Sequence, residues 1–213
     1  MDGRTHVSRI RGRGAPGPDG DPPQHGWRVV DMVVASVLAV AGGLLLWVFG
    51  LNYATLSPLL GTWPPASALL NGLFVLPGVL GALVVRRPGA AVYTELVAAT
   101  VSALLGNQWG FATVYYGLLE GLGAELVFAA LLYRRFGLGA ALLGGAGAGV
   151  VMGLLDVTVY YSAFGAGDKL GYVLVSVLSS VVLAGAAAWA LTRALARTGA
   201  LAPLASGRAA ERV

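Results

Sequence analysis

From Trp27 onward the chain is a succession of apolar runs separated by short turns. Each run is roughly 16 to 27 residues long, and at about 1.5 Å per helical residue that length matches a hydrocarbon core of about 30 Å. Lipid is the solvent this pattern fits. A soluble domain carries about 25% charged residues, whereas this chain of 213 residues has 11%, with 57% hydrophobic residues and a mean hydropathy of +0.76. The runs use most of the sequence, which leaves no room for a soluble catalytic or nucleotide-binding domain.

The pattern predicts an all-α integral membrane protein of about six transmembrane helices. The expected spans are approximately Val29–Leu51, Ala66–Val85, Ala90–Leu105, Ala112–Tyr133, Leu138–Phe164 and Leu170–Thr192. Residues 1–26 are rich in Gly, Pro, Arg and Asp and read as a disordered basic leader. Residues 27–197 form the membrane domain, and 198–213 a short tail. The first apolar run is long enough to be a permanent span, not a cleaved signal.

Arginine-bearing and arginine-free turns alternate. Arg4, Arg9, Arg11, Arg13 and Arg28 precede the first span, Arg86 and Arg87 follow the second, and Arg134 and Arg135 follow the fourth. Arg193, Arg197, Arg208 and Arg212 come after the sixth, while the intervening turns carry a single cation, Lys169. The positive-inside rule therefore places both termini in the cytoplasm. The same distribution explains the net charge of +4 without nucleic acid as a partner. With no cysteine, and with both histidines, His6 and His25, in the leader, no metal site and no cofactor is proposed.

Four acids fall inside the predicted spans: Glu95, Glu120, Glu125 and Asp156. An ionised acid at the bilayer centre costs roughly 2.5 to 3.5 kcal/mol on insertion scales, and no basic residue lies deep in any span to offset it. The unmatched charge suggests a cationic or amine-bearing ligand, or protonated carboxyls. Hydrogen bonding to a neighbouring helix is the alternative for each acid. Glu120 lies roughly 12 Å below the outer turn, with Tyr116 one turn above on the same face. Glu125 is rotated from it by roughly 140°, so the two are not expected to line one narrow site. Asp156 lies about a turn below Tyr160.

Three further features each have two readings. The loop Gly106-Asn107-Gln108-Trp109-Gly110 offers amide donors and acceptors and a flat indole, or it is a glycine-bracketed turn with an interfacial tryptophan. The connection Asn52–Pro65, with Tyr53 and Trp63, is a lid or an ordinary headgroup-level segment. Small residues at four-residue spacing, Ala35, Ala39 and Gly43, form a partner-docking face or an internal packing stripe. The glycines from Gly139 to Gly153 read as tight packing.

Enzyme readings find little support. The chain has no Walker-type loop, no HExxH and no histidine near an intramembrane serine. Gly165-Ala166-Gly167-Asp168 looks like the GxGD signature of intramembrane aspartyl proteases, but Asp168 is placed at a loop. A purely structural scaffold is the other reading from a different class.

Pro88-Gly89-Ala90-Ala91, Glu95, Gly106-Asn107 and Gly121-Leu122-Gly123-Ala124-Glu125 together resemble the YkoE family, from about Trp27 to Arg197. Members of that family are substrate-binding S components of energy-coupling factor (ECF) transporters, associated with thiamine or its hydroxymethylpyrimidine precursor. The resemblance implies a non-catalytic, vitamin-capturing subunit of the bacterial plasma membrane. It further implies a separate T component and ATPase subunits as partners, and Glu95, Asn107 and Glu125 as ligand-pocket residues. Trp109, Tyr116, Glu120, Asp156 and Tyr160 join this candidate set on physical grounds; glutamine would be the commoner family residue at Glu120. In related S components an Ala-x-x-x-Ala stripe on the first helix meets the T component, a pattern that Ala35 and Ala39 match.

Overall fold

The computed structural model describes residues 26–60, 62–202, 204 and 206–207. The leader through His25, with Arg4, Arg9, Arg11, Arg13 and His6, lies outside the described residues, as do Arg208 and Arg212. All regular structure among the described residues is helical: α1 (Val29–Leu56), α2 (Asn71–Phe74), α3 (Leu76–Val85), α4 (Ala90–Leu104), α5 (Ala112–Ala130), α6 (Leu138–Val159), α7 (Ala166–Ser179) and α8 (Ala187–Arg197). A 3₁₀ turn over Pro64–Leu70 leads into α2, and a π-helical segment over Ser180–Ala186 joins α7 to α8.

The helices group into six rods that follow the expected spans. Four rods are long and apolar enough to cross a bilayer: Val29–Leu60, Pro64–Val85, Leu138–Val159 and Ala166–Arg197. The 15-residue α4 is about 22 Å long at 1.5 Å per residue. It packs between α1, α3 and α5, so a short apolar helix is sheltered by longer neighbours.

Glycine sets these close approaches. A Cβ on Gly123 would lie 2.7 Å from the Gly147 carbonyl oxygen, and one on Gly147 would lie 2.5 Å from the Gly123 carbonyl oxygen. The α5 and α6 backbones therefore touch. Gly145, Gly149 and Gly153 do the same for α6 against the last rod, where each Cβ would meet Ser180, Ser176 or Val173.

The second rod is broken. Val75, at φ −98° and ψ 5°, interrupts it, and α3 restarts with Pro77 in its first turn. A proline at that position gives up no hydrogen bond that the new helix could make. The free amides at the α3 N-terminus thus open inside the bundle. Across the break, the Gly72 N–H donates to Ser179 Oγ at 3.0 Å, and Ser179 Oγ–H donates to the Leu69 carbonyl at 2.6 Å.

The basic turns gather at one end. Asp31 accepts from the Arg28 guanidinium at 3.1 Å and from Arg87 Nε at 3.1 Å, clasping the α1 start to the turn after α3. Trp27 Nε1–H donates to the Pro88 carbonyl at 2.9 Å beside this clasp.

Three features differ from the expected layout. Ala35, Ala39 and Gly43 do not present a free docking face. All three are buried within the chain, because α4 packs on this stripe: a Cβ on Gly43 would lie 2.7 Å from the Ala98 carbonyl. The lipid-facing side of α1 instead carries Val33, Val37, Leu44 and Val48. The connection after the first span is largely helical, since α1 continues to Leu56 and a 3₁₀ turn covers Ser57–Leu60. After α8, Leu201 and Leu204 are buried against Val84 and the start of α1, so these residues pack on the bundle, while 203, 205 and 208–213 of the expected tail lie outside the described residues.

Candidate ligand-binding site

A cavity of about 180 Å³ lies toward the arginine-free end, among α1, α2, α4, α5, α6 and α7. Its carboxylates are Glu95, Glu120 and Asp156, and no basic residue lines it. Glu120 is close enough to interact electrostatically with both of the others.

Each acid is held differently. Glu95 Oε2 accepts the Gly78 N–H at 2.6 Å. That donor belongs to the buried first turn of α3, whose amides have no partner within the helix, so the helix break supplies a positive dipole end to the carboxylate. Glu95 Oε1 is buried and has no partner. Asp156 Oδ2 accepts from Asn71 Nδ2 at 3.0 Å and from the Tyr172 hydroxyl at 2.8 Å. Asn71 also donates to Ser176 Oγ at 3.1 Å, which ties α2, α6 and α7 together beneath the cavity. Glu120 receives no hydrogen bond from any described residue.

Aromatic rings form the walls. Trp109 meets Tyr53 edge-on with centroids 5.3 Å apart, and Phe74 at 5.4 Å. Tyr116 and Tyr160 lie 5.8 Å apart on another wall. The Tyr116 hydroxyl faces Asp156 but completes no hydrogen bond there. Glu95 Oε1, the Glu120 carboxylate and the Tyr116 hydroxyl are therefore polar groups left open to whatever enters. Buried polar atoms ordinarily find partners, so such a gathering marks a place where a guest supplies them.

Asn107 does not line the cavity. Its Oδ1 accepts the Trp109 backbone N–H at 2.9 Å, and its Nδ2 donates to Ser102 Oγ at 3.0 Å and Thr113 Oγ1 at 2.9 Å. Gly106 and Gly110, at φ 85° and 56°, allow the loop to turn tightly around it. Gln108 Nε2 donates to the Gly50 carbonyl at 3.0 Å, fastening the loop to α1. Asn107 is thus a positioning residue for the Trp109 wall.

Glu125 is also corrected. It lies outside the cavity, where Oε1 accepts the Gly89 N–H at 2.6 Å and the Tyr133 hydroxyl at 2.8 Å. Its Oε2 accepts the Ala91 and Val92 N–H groups at 2.9 and 3.4 Å. A carboxylate from α5 thereby caps the N-terminus of α4, where Gly89 at φ 84° starts the helix. The two motifs Pro88–Ala91 and Gly121–Glu125 meet here for a structural reason. Asp168 stands in the first turn of α7 and is not a cavity residue.

Sequence reasoning passed over Tyr53 as a wall, and over Asn71, Phe74, Thr113, Tyr161 and Tyr172 altogether. Two signals were available: a lone amide in an apolar run, and Pro77 inside a predicted span, which marks a helix break.

Comparison with known proteins agrees with this architecture. The family described as "ABC-type cobalt transport system, permease component" matches residues 30–151. The chain is 32% identical over 183 residues to YkoE of Bacillus subtilis (strain 168), named as an HMP/thiamine permease protein, covering 85% of this chain and 91% of that one. It also superposes on a solved structure, "Crystal structure of an S-component of ECF transporter", with a TM-score of 0.83 at 31% identity, covering 88% of this chain and 94% of that chain. This chain belongs to the YkoE family of ECF-transporter S components. As an S component it is an integral plasma-membrane protein and a non-catalytic, substrate-binding subunit. Its working partners are a T component and ATPase subunits.

Proposed function

We propose that the cavity captures hydroxymethylpyrimidine or thiamine from the outside, with the basic end of the bundle and both termini in the cytoplasm. The observation that carries this reading is the set of unpartnered acceptors, Glu95 Oε1 and the Glu120 carboxylate, facing one aromatic-walled cavity without a protein cation. An aminopyrimidine ring offers what that set lacks: a flat π-face for Trp109 and Tyr116, and amine protons for the carboxylates. The positive charge of thiamine would add a favourable term in a water-poor site.

The name of the YkoE relative points to the same ligands. Although one family description mentions cobalt, the three carboxylates line the cavity without gathering as the ligands of a single ion. An extended organic amine or cation that touches them in turn is the better match. Bound ligand would then be released inward when the ATPase-driven T component reorients the bundle.

The test is a titration of the purified protein with thiamine and with hydroxymethylpyrimidine, following tryptophan emission. A saturable change that is lost in Trp109→Phe is expected. No saturable binding of either compound by calorimetry would remove the assignment.

A further inference from the structure

A second recess, of about 620 Å³, opens at the opposite, arginine-bearing end. Arg86, Arg134, Arg193 and Arg197 line it, and no acidic residue does. They come from the end of α3, the turn after α5 and the last turns of α8. Among the described residues none of the four is in an ion pair, since the ion pairs there join Asp31 to Arg28 and Arg87. Four like charges converging from separate elements repel one another unless an anion lies between them.

Two of the four are already oriented. Arg86 stacks over the Phe136 ring with its guanidinium carbon 5.4 Å from the centroid, and Arg193 stacks over Trp189 at 4.5 Å. Stacking occupies the face of a guanidinium and leaves its edge N–H groups for oxygen acceptors; in Arg86 the Nε–H donates to the Leu83 carbonyl at 3.2 Å, which leaves its terminal N–H groups. Burial pulls the Arg86 guanidinium down from the ordinary arginine range, a penalty that a neighbouring anion would relieve.

The rest of the lining is mixed: Leu83, Phe136 and Trp189 are apolar, Thr192 and Ser206 are polar, and Gly199, Ala202 and Gly207 belong to the stretch after α8; the exposed Leu138 and Leu191 are chain neighbours of the lining residues Gly137 and Thr192. The recess also sits where α3, α5, α6 and α8 begin or end, which is headgroup depth for helices of this length. We propose that it binds the phosphoryl headgroup of an anionic phospholipid, whose acyl chains run down the apolar flank beside Leu138 and Leu191. Basic pockets between helix ends are suited to such headgroups. A soluble phosphate shares the anion chemistry but would make no use of that flank.

The experiment reconstitutes the full chain in phosphatidylcholine bilayers containing a small fraction of brominated phosphatidylglycerol or, in parallel, brominated phosphatidylcholine, and follows tryptophan quenching. Phosphatidylglycerol should quench preferentially, and Trp189→Phe should remove that component. Arg134→Gln and Arg193→Gln should each weaken the preference about fivefold. Arg134 is exposed in a turn, so its variant should keep the unfolding midpoint of the parent and separate lipid binding from folding.

Equal quenching by the two lipids, or a preference that survives the double Arg134→Gln, Arg193→Gln variant, would overturn the proposal. So would a preference abolished by millimolar inorganic phosphate, which identifies a soluble-anion site. Loss of assembly with the T component in the arginine variants, without any lipid preference, would assign the recess to a protein partner.

Discussion

Glu120→Gln separates a ligand-binding carboxylate from a structural one, because the two roles predict effects of opposite sign. Glu120 accepts no hydrogen bond from any described residue, so the empty protein makes no contact with its carboxyl that the isosteric amide would lose. A carboxyl that served structure would lose stability on the change, and a loss of about 1 kcal/mol would lower the midpoint by about 2–4 °C for a chain of this size, whereas an unpartnered one should leave the midpoint unchanged or slightly raised. A bound amine or cationic ring, in contrast, loses a charge-assisted hydrogen bond of about 1.5–3 kcal/mol, which is roughly 10- to 150-fold in Kd. Calorimetric titration with thiamine and hydroxymethylpyrimidine, beside thermal unfolding in detergent, reads both quantities on the same sample. Weaker binding with equal or higher stability is the expected pair. A variant that binds as tightly as the parent, or that loses stability in step with affinity, would refute the reasoning.

Glu125→Gln should do the reverse, since four donors converge on that carboxylate. The midpoint should fall by an amount corresponding to about 2–4 kcal/mol, while the folded fraction binds ligand within about twofold of the parent. Trp109→Phe and Asn107→Ala should each weaken binding by about 1 kcal/mol, and the double variant should be no worse than the poorer single one, because Asn107 acts through the indole; a double-mutant cycle by calorimetry measures this. Gly123→Ala, whose new methyl would meet the Gly147 carbonyl, should cost about 1–3 kcal/mol in thermal unfolding. Gly139→Ala, with nothing within 4 Å of its Cβ, should leave stability unchanged or raise it by up to about 1 kcal/mol.

Helix existence was legible because it is a local property. Each span needed only a run of apolar residues, and observed ends differ from expected ones by a few residues at most of the boundaries. The larger differences, of four or five residues, are at three spans: α1 runs on through the Asn52 turn to Leu56, α6 stops at Val159, and the last rod extends from Ala166 to Arg197. The candidate site was legible in part. Helical rise puts Tyr116 one turn above Glu120 and Asp156 about a turn below Tyr160, and the structure brings all four to one cavity. The family resemblance groups Glu125 with Glu95, yet only Glu95 faces that cavity. Ala35, Ala39 and Gly43 could not be divided between lipid, partner and core, since all three surroundings accept small apolar residues.

By itself the sequence determined the solvent, the number of rods and the presence of uncompensated acids, because hydropathy and helical rise add up residue by residue along the chain. Only the tertiary structure decided which acids share a cavity and which is consumed in capping α4. In a bilayer both the core and the outer face of a helix are apolar, so periodicity does not fix how each helix is rotated. That rotation is set by glycine contacts such as Gly123 on Gly147 and by the break at Val75 that turns α3 amides toward Glu95.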